Sequence, residues 1–115
     1  ESDLKTAIYL IGMKPKPNEI ICYHCQQSAE KYLKGFIVSQ GESIKKTHDL
    51  QFLCKFASQM NLKLNEIEDD CIELTDYGVE VRYPFHIDIE EVDVKKAIQS
   101  VERIKETILK IVNSR

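Results

Sequence analysis

The 115-residue sequence has no long apolar run. Its apolar stretches last a few residues, as in Ile20-Ile21-Cys22-Tyr23, far short of the roughly 20 that carry a helix across a bilayer. No membrane span is therefore expected. No charged leader followed by an apolar stretch opens the sequence, so no secretory signal is expected and a cytoplasmic location fits. Internal repeats and low-complexity tracts are also missing. The net charge is −3, which excludes a wholly basic nucleic-acid binder. The four cysteines, Cys22, Cys25, Cys54 and Cys71, lack the secretory setting that disulfide frameworks need. Half-buried thiols in a reducing compartment are the expectation.

What is present is ordinary globular composition, 43% hydrophobic and 30% charged. A chain of this length makes one domain with one core, spanning residues 1–115. Its charge is unevenly placed. Residues 1–63 carry nine basic and six acidic groups, residues 64–93 one and eleven, and residues 94–115 six and two. The single base of the acidic stretch is Arg82. A local basic face on the first or last helices is compatible with this balance.

Apolar spacing predicts helices throughout. Leu4, Ile8 and Ile11 mark a first helix over Ser2 to Ile11, ended by Gly12 and the Lys14-Pro15-Lys16-Pro17 run. Asn18 is the expected N-cap of the longest helix, which runs to about Ser39 with Ile21, Cys25, Ala29, Tyr32, Leu33, Phe36 and Ile37 as its stripe. Gly41 stops it. Thr47 is the expected cap of a third helix carrying Leu50, Leu53, Cys54, Phe56, Ala57 and Met60. A fourth spans about Leu64 to Tyr77, with Gly78 as a stop. Val79 to Val92 is irregular, with Pro84 disfavouring helical geometry at Tyr83. Asp93 is the expected cap of the last helix, whose stripe is Val94, Ala97, Ile98, Val101, Ile104, Ile108 and Ile111. The resulting fold class is all-α, an up-and-down bundle of four main helices plus a short or flanking fifth. The long final stripe suits pairing with a second copy.

Four groups of residues carry chemistry. Cys22-x-x-Cys25 supplies only half of a zinc ligand set, and Cys54 and Cys71 are not a second close pair, so core packing is the reading and no metal or cofactor is implied. On the long helix, Gln27, Glu30, Lys31 and Lys34 are expected on outer faces, either as a solvated charged surface or as a groove whose lysines meet phosphate. His48 beside Asp49 reads as a helix-start capping pair, with anion binding as the functional alternative. In Arg82-Tyr83-Pro84-Phe85-His86, Arg82 offers a planar fork for phosphate and His86 a proton near neutral pH. Together they suit RNA cleavage by 2′-hydroxyl attack. The structural alternative pairs Arg82 with the surrounding acids and leaves Tyr83 and Phe85 to plug the end of the bundle.

The segments Gln26-Gln27-Ser28-Ala29-Glu30-Lys31-Tyr32-Leu33-Lys34, Thr47-His48-Asp49-Leu50 and Arg82-Tyr83-Pro84, in that order, resemble the HEPN family from about Asp3 to Ile111. The resemblance implies an all-α bundle of four to five helices, frequently homodimeric. It also implies a minimal nucleotidyltransferase as partner in a toxin–antitoxin arrangement, and nucleotide binding or metal-independent RNase activity. Catalytic members carry an Arg followed by four to six residues and a His. Here only three residues separate Arg82 from His86, one of them Pro84. Some antitoxin-paired members carry a Tyr two residues past the His, where this sequence has Asp88.

The functional expectation is a nucleotide- or RNA-binding component paired with a nucleotidyltransferase, with Lys31, Lys34, Gln27, Tyr83 and His48 as ligand contacts. The alternatives are a metal-independent RNase toxin using Arg82 and His86, and a non-catalytic dimeric scaffold for a partner.

Overall fold

A computed structural model describes residues 2–12, 17–43, 46–75, 77 and 89–114. They form α1 (Ser2–Leu10), α2 (Asn18–Ser39), α3 (Leu50–Ser58), a 3₁₀ segment (Leu62–Ile67), α4 (Glu68–Thr75) and α5 (Glu91–Asn113). No strand occurs among the described residues. The all-α bundle expected from the spacing is therefore the observed architecture.

The two long helices, α2 and α5, make the most extensive pairing. They bring together the two most regular stripes in the sequence: Ile21, Cys25, Ala29, Leu33, Phe36 and Ile37 from α2 are buried with Val94, Ala97, Val101, Ile104, Ile108 and Ile111 from α5. Helix α3 lies on α2, and α4 bridges α3 and α5. Leu50, Leu53, Cys54, Ala57, Leu64, Ile67, Cys71 and Leu74 complete the core. Tyr32, Phe56, Met60 and Ile98 sit at its edge, partly buried.

The helix starts differ from expectation in an instructive way. Asn18 is the first residue of α2 rather than its cap. Its side-chain amide instead donates to the Ile89 carbonyl at 3.0 Å, tying the start of α2 to the approach of α5. Asp49, not Thr47, caps α3, accepting from the Gln51 and Phe52 amides at 3.0 and 3.2 Å. Thr47 accepts from the Asp49 amide one step earlier. Asp93 sits inside α5, where its carboxylate accepts from the Glu90 amide and Glu90 caps reciprocally. That is the capping-box pattern, which moves the helix start upstream of the residue that signals it.

The fourth helix is also shorter and split. Leu62–Ile67 is 3₁₀ and only Glu68–Thr75 is α-helical, with Asn61 capping the first part through the Lys63 amide at 3.0 Å. Helix α1 buries Leu4 and Ala7, while Ile8 and Ile11 are exposed. It packs chiefly on α2, so its buried stripe is one contact wide. Gly78, and with it most of the Val79 to Val92 stretch, lies outside the described residues.

Helix α2 ends as Gly41 predicts. Gly41 has φ 90°, its amide bonds to Val38 and the Glu42 amide to Ile37, the two bonds of a left-handed helix stop. Gly35 is different, exposed within the helix and with open space where a side chain would stand. Two glycine-to-alanine changes should therefore act with opposite sign. Gly41→Ala should destabilise by about 1 kcal/mol, because L-residues resist positive φ. Gly35→Ala should stabilise by about 0.5–1 kcal/mol through helix propensity. Denaturant unfolding of both variants beside the parent reads the two signs directly.

Candidate functional site

Gln26, Glu30 and Lys34 follow one another at four-residue spacing and so lie along one line of α2. That line faces the segment leading into α3, and the placement corrects the expectation that Glu30 decorates an outer face. Glu30 is only 7% exposed and Gln26 is fully buried. A carboxylate removed from water must be paired, and Glu30 is paired on both oxygens. His48 Nδ1 donates to Oε1 at 2.9 Å, and Lys34 Nζ donates to Oε2 at 3.0 Å. The Gln26 amide donates to the His48 carbonyl at 3.1 Å and reaches Glu30 Oε1 at 3.4 Å. Gln27 in turn donates to the Gln26 side-chain oxygen at 2.7 Å.

The local chain explains why His48 arrives there. Asp49 caps α3 with extended backbone, which sets the preceding residue alongside α2, and Gln26 clamps its carbonyl. The imidazole is nevertheless 70% exposed on its outer side. With Nδ1 donating to Glu30, Nε2 is left at the rim. Three residues expected at a ligand site, Gln27, Lys34 and His48, thus belong to one hydrogen-bonded network anchored on Glu30. The arrangement holds an ammonium and an imidazole side by side at the surface, with their orientation set from below.

Lys31 belongs elsewhere. It and His24 both donate to Asp3 of α1, His24 Nδ1 at 2.9 Å. Lys31 is thus joined to the α1–α2 seam and not to the Lys34 and His48 network. Burial by itself raises the Asp3 carboxyl, but the hydrogen bonds and positive charge of Lys31 and His24 outweigh it and hold the group below its ordinary value of 3.8.

Sequence reasoning missed a third polar group. Asp70 of α4 is 7% exposed and Ser100 of α5 is 2% exposed. Arg103 grips Asp70 through Nε at 3.0 Å and Nη2 at 2.7 Å, and the Ser100 hydroxyl donates to the same carboxylate at 3.0 Å. This hydrogen bonding, followed by the nearby charge, raises the Arg103 guanidinium against the opposing effect of burial. The signal was present in the spacing. Asp70 falls between Ile67 and Leu74, and Ser100 between Ala97 and Ile104, at the three- and four-residue intervals of their helices' apolar stripes. Beside the pair runs a groove of about 700 Å³ whose lining includes Asp69, Glu73, Asp93 and Lys96, an acidic surface ill suited to a phosphate.

The four cysteines are buried thiols and none is in a disulfide. Burial, with the nearby Cys22 and Glu102, pushes the Cys25 thiol up to about 12, so it stays protonated and unreactive at neutral pH. The hydrogen bond to Cys54, together with burial, raises Cys71 as well. Among the described residues, no three His, Cys, Asp or Glu side chains are grouped to hold a metal, and no helix is long and apolar enough to cross a membrane. Arg82, Tyr83 and His86, expected at the site from sequence, lie outside the described residues, as does Asp88.

Two tests follow from this geometry. Glu30→Ala should destabilise the fold by about 1–3 kcal/mol, because it removes the shared partner of Lys34 and His48 and one of the two acceptors of the buried Gln26 amide, whereas exposed Glu42→Ala should be near neutral in the same chemical unfolding assay. For Asp3, a depressed carboxyl stabilises the fold above its unfolded value and loses that effect as pH falls through its folded value. Unfolding midpoints of the parent and of Asp3→Asn should therefore differ at neutral pH and converge as pH falls through the lowered folded value of Asp3.

No curated protein sequence matches this chain, and no solved structure matches it. The profile of the HEPN domain family matches residues 1–112, nearly the whole chain and every element described above. With the helical bundle in place and the matched span running from α1 through α5, this chain belongs to the HEPN domain family.

Proposed function

We propose that this HEPN domain protein binds a phosphate-bearing ligand, a nucleotide or RNA, at the rim formed by Lys34 and His48. In this role it works as the binding component of a pair with a minimal nucleotidyltransferase, in a toxin–antitoxin type system. The observation that carries the reading is the convergence of Lys34 and His48 on the buried Glu30. A carboxylate that uses one face of each group leaves the remaining N–H donors of the ammonium and the Nε2 edge of the imidazole aimed at solvent, and Nε2 donates to a phosphate oxygen when the ring is protonated. Charge-assisted hydrogen bonds from such donors are the strong ones for phosphate oxygens.

Pre-orientation matters here. Side chains already held in place lose less freedom on binding than flexible surface lysines do. Gln27 closes one side of the rim through Gln26 and supplies a polar neighbour for a sugar or base. The reading also includes a homodimer, supported by Leu109 and Val112, which remain exposed on the outer side of α5. The nucleotidyltransferase partner follows from the family resemblance.

Binding of ATP and of a short labelled oligoribonucleotide, measured in low salt, tests this reading. Lys34→Gln and His48→Ala should each weaken binding about tenfold, the equivalent of roughly 1.4 kcal/mol per lost contact. Lys95→Gln, on the exposed side of α5, should leave affinity within twofold. Equal affinity for all four folded proteins would remove the Lys34 and His48 rim as the site. RNA cleavage in the presence of a chelator, lost in both Arg82→Ala and His86→Ala, would replace the binding reading with the RNase one.

A further inference from the structure

Asp3 occupies a position in which an external anion would be well held. His24, Ser28 and Lys31 stand at i, i+4 and i+7 on α2 and share one strip of its surface. Asp3 reaches this strip from α1, accepting from His24 Nδ1 through one oxygen and from Lys31 Nζ through the other. A groove of about 230 Å³ lies alongside, lined by Asp3, Ser28, Lys31 and Tyr32. Ser28 is 3% exposed, yet its hydroxyl bonds to no described side chain or carbonyl. Ser28 lines the groove, so that hydroxyl is offered to whatever occupies it. The two oxygens of Asp3 face His24 and Lys31, and the Ser28 hydroxyl bonds to neither. A phosphate group presents three or four oxygens and matches ammonium, imidazole and hydroxyl together.

The resident carboxylate stands near the start of a short helix. Helix α1 is nine residues long, below the length at which isolated helices are stable. It contributes only Leu4 and Ala7 to the fully buried core, and Ile8 and Tyr9 face outward. Asp3 leaves the strip by rotating its own side chain, with Leu4 and Ala7 kept in the core.

We infer that the His24, Ser28 and Lys31 strip of α2 is a second anion-binding site, separate from the Lys34 and His48 rim, in which Asp3 is an internal stand-in for the phosphate group of a nucleotide or RNA. Asp3 competes with that ligand as a tethered carboxylate. Its effective concentration is of millimolar order, so the parent protein binds free phosphate weakly at this strip. Removing the charge of Asp3 opens the site.

The experiment is a titration with inorganic phosphate, and separately with a short oligoribonucleotide, followed by calorimetry and by amide shifts of residues 24–31. Asp3→Asn keeps the size of the side chain and removes its charge. It should bind phosphate about tenfold more tightly than the parent, a change equal to one lost unit of like-charge competition at roughly 1.4 kcal/mol. Adding Lys31→Gln should abolish the gain, and adding Ser28→Ala should reduce it. Adding Lys34→Gln should leave it intact, which keeps this site's outcome apart from that of the rim. A gain with both titrants assigns the strip to a single phosphate, and a gain with the oligoribonucleotide alone assigns it to RNA backbone phosphates. Amide exchange over residues 2–10 reports whether α1 stays docked, and the dependence on Lys31 reads the same whether or not it does. Affinity within twofold of the parent for Asp3→Asn, or a gain that survives Lys31→Gln, overturns the proposal.

Discussion

A carboxylate inside a small helical bundle is tolerable only when other parts of the chain bring it partners, and this fold is organised around three of them. Asp3 joins α1 to α2, Glu30 joins α2 to the segment before α3, and Asp70 joins α4 to α5. Apolar seams fill space and drive collapse, but they are non-directional. A helix can slide or rotate along such a seam at small cost. A guanidinium fork or an imidazole nitrogen meets its carboxylate in one geometry only. Buried Glu30 and Asp70 and partly buried Asp3 therefore set where each helix sits along its neighbour, while the leucine, isoleucine and alanine stripes supply most of the stabilisation.

The same acids organise the charged surface. Lys31 and Lys34 are three residues apart on one helix, close enough in sequence to read as one basic patch. Asp3 draws the first toward α1 and Glu30 draws the second toward α3. What reads as a uniform lysine-rich face is two separate sites, each built on its own counter-ion. Net charge at each is near neutral, so binding there depends on the placement of donors more than on long-range attraction.

Much of the fold was legible from spacing. The extents of α2 and α5, the stop at Gly41 and most core positions follow from apolar periodicity and glycine chemistry. Helix starts were less legible, because Asn18, Thr47 and Asp93 each carry a side chain that can cap, while the chain uses a neighbour instead. Which residue caps depends on tertiary partners such as the Ile89 carbonyl. The 3₁₀ segment was hidden for a similar reason, since Leu64, Ile67 and Cys71 satisfy an α-helical period through it. Residue types drew attention to Gln27, Lys34 and His48, which the fold joins in one hydrogen-bonded network. They could not show that Glu30 lies beneath them, because a Glu and a Lys four apart look the same on a solvated face and on a buried edge. Asp70 and Ser100 stood on apolar stripes, a signal visible before any fold is known.

The bond from Asn18 to Ile89 spans 71 positions of sequence, and the principal helix pair, α2 with α5, is equally remote. During synthesis α2 is made well before α5, so the part of its apolar face that α5 covers stays open until α5 follows. For that interval α1, α3 and α4 cover only part of α2, and the exposed strip of isoleucine, leucine and phenylalanine is a natural binding surface for a chaperone. A chain truncated before α5 would leave this strip bare, so the quality-control fate of nascent and broken copies rests on α5.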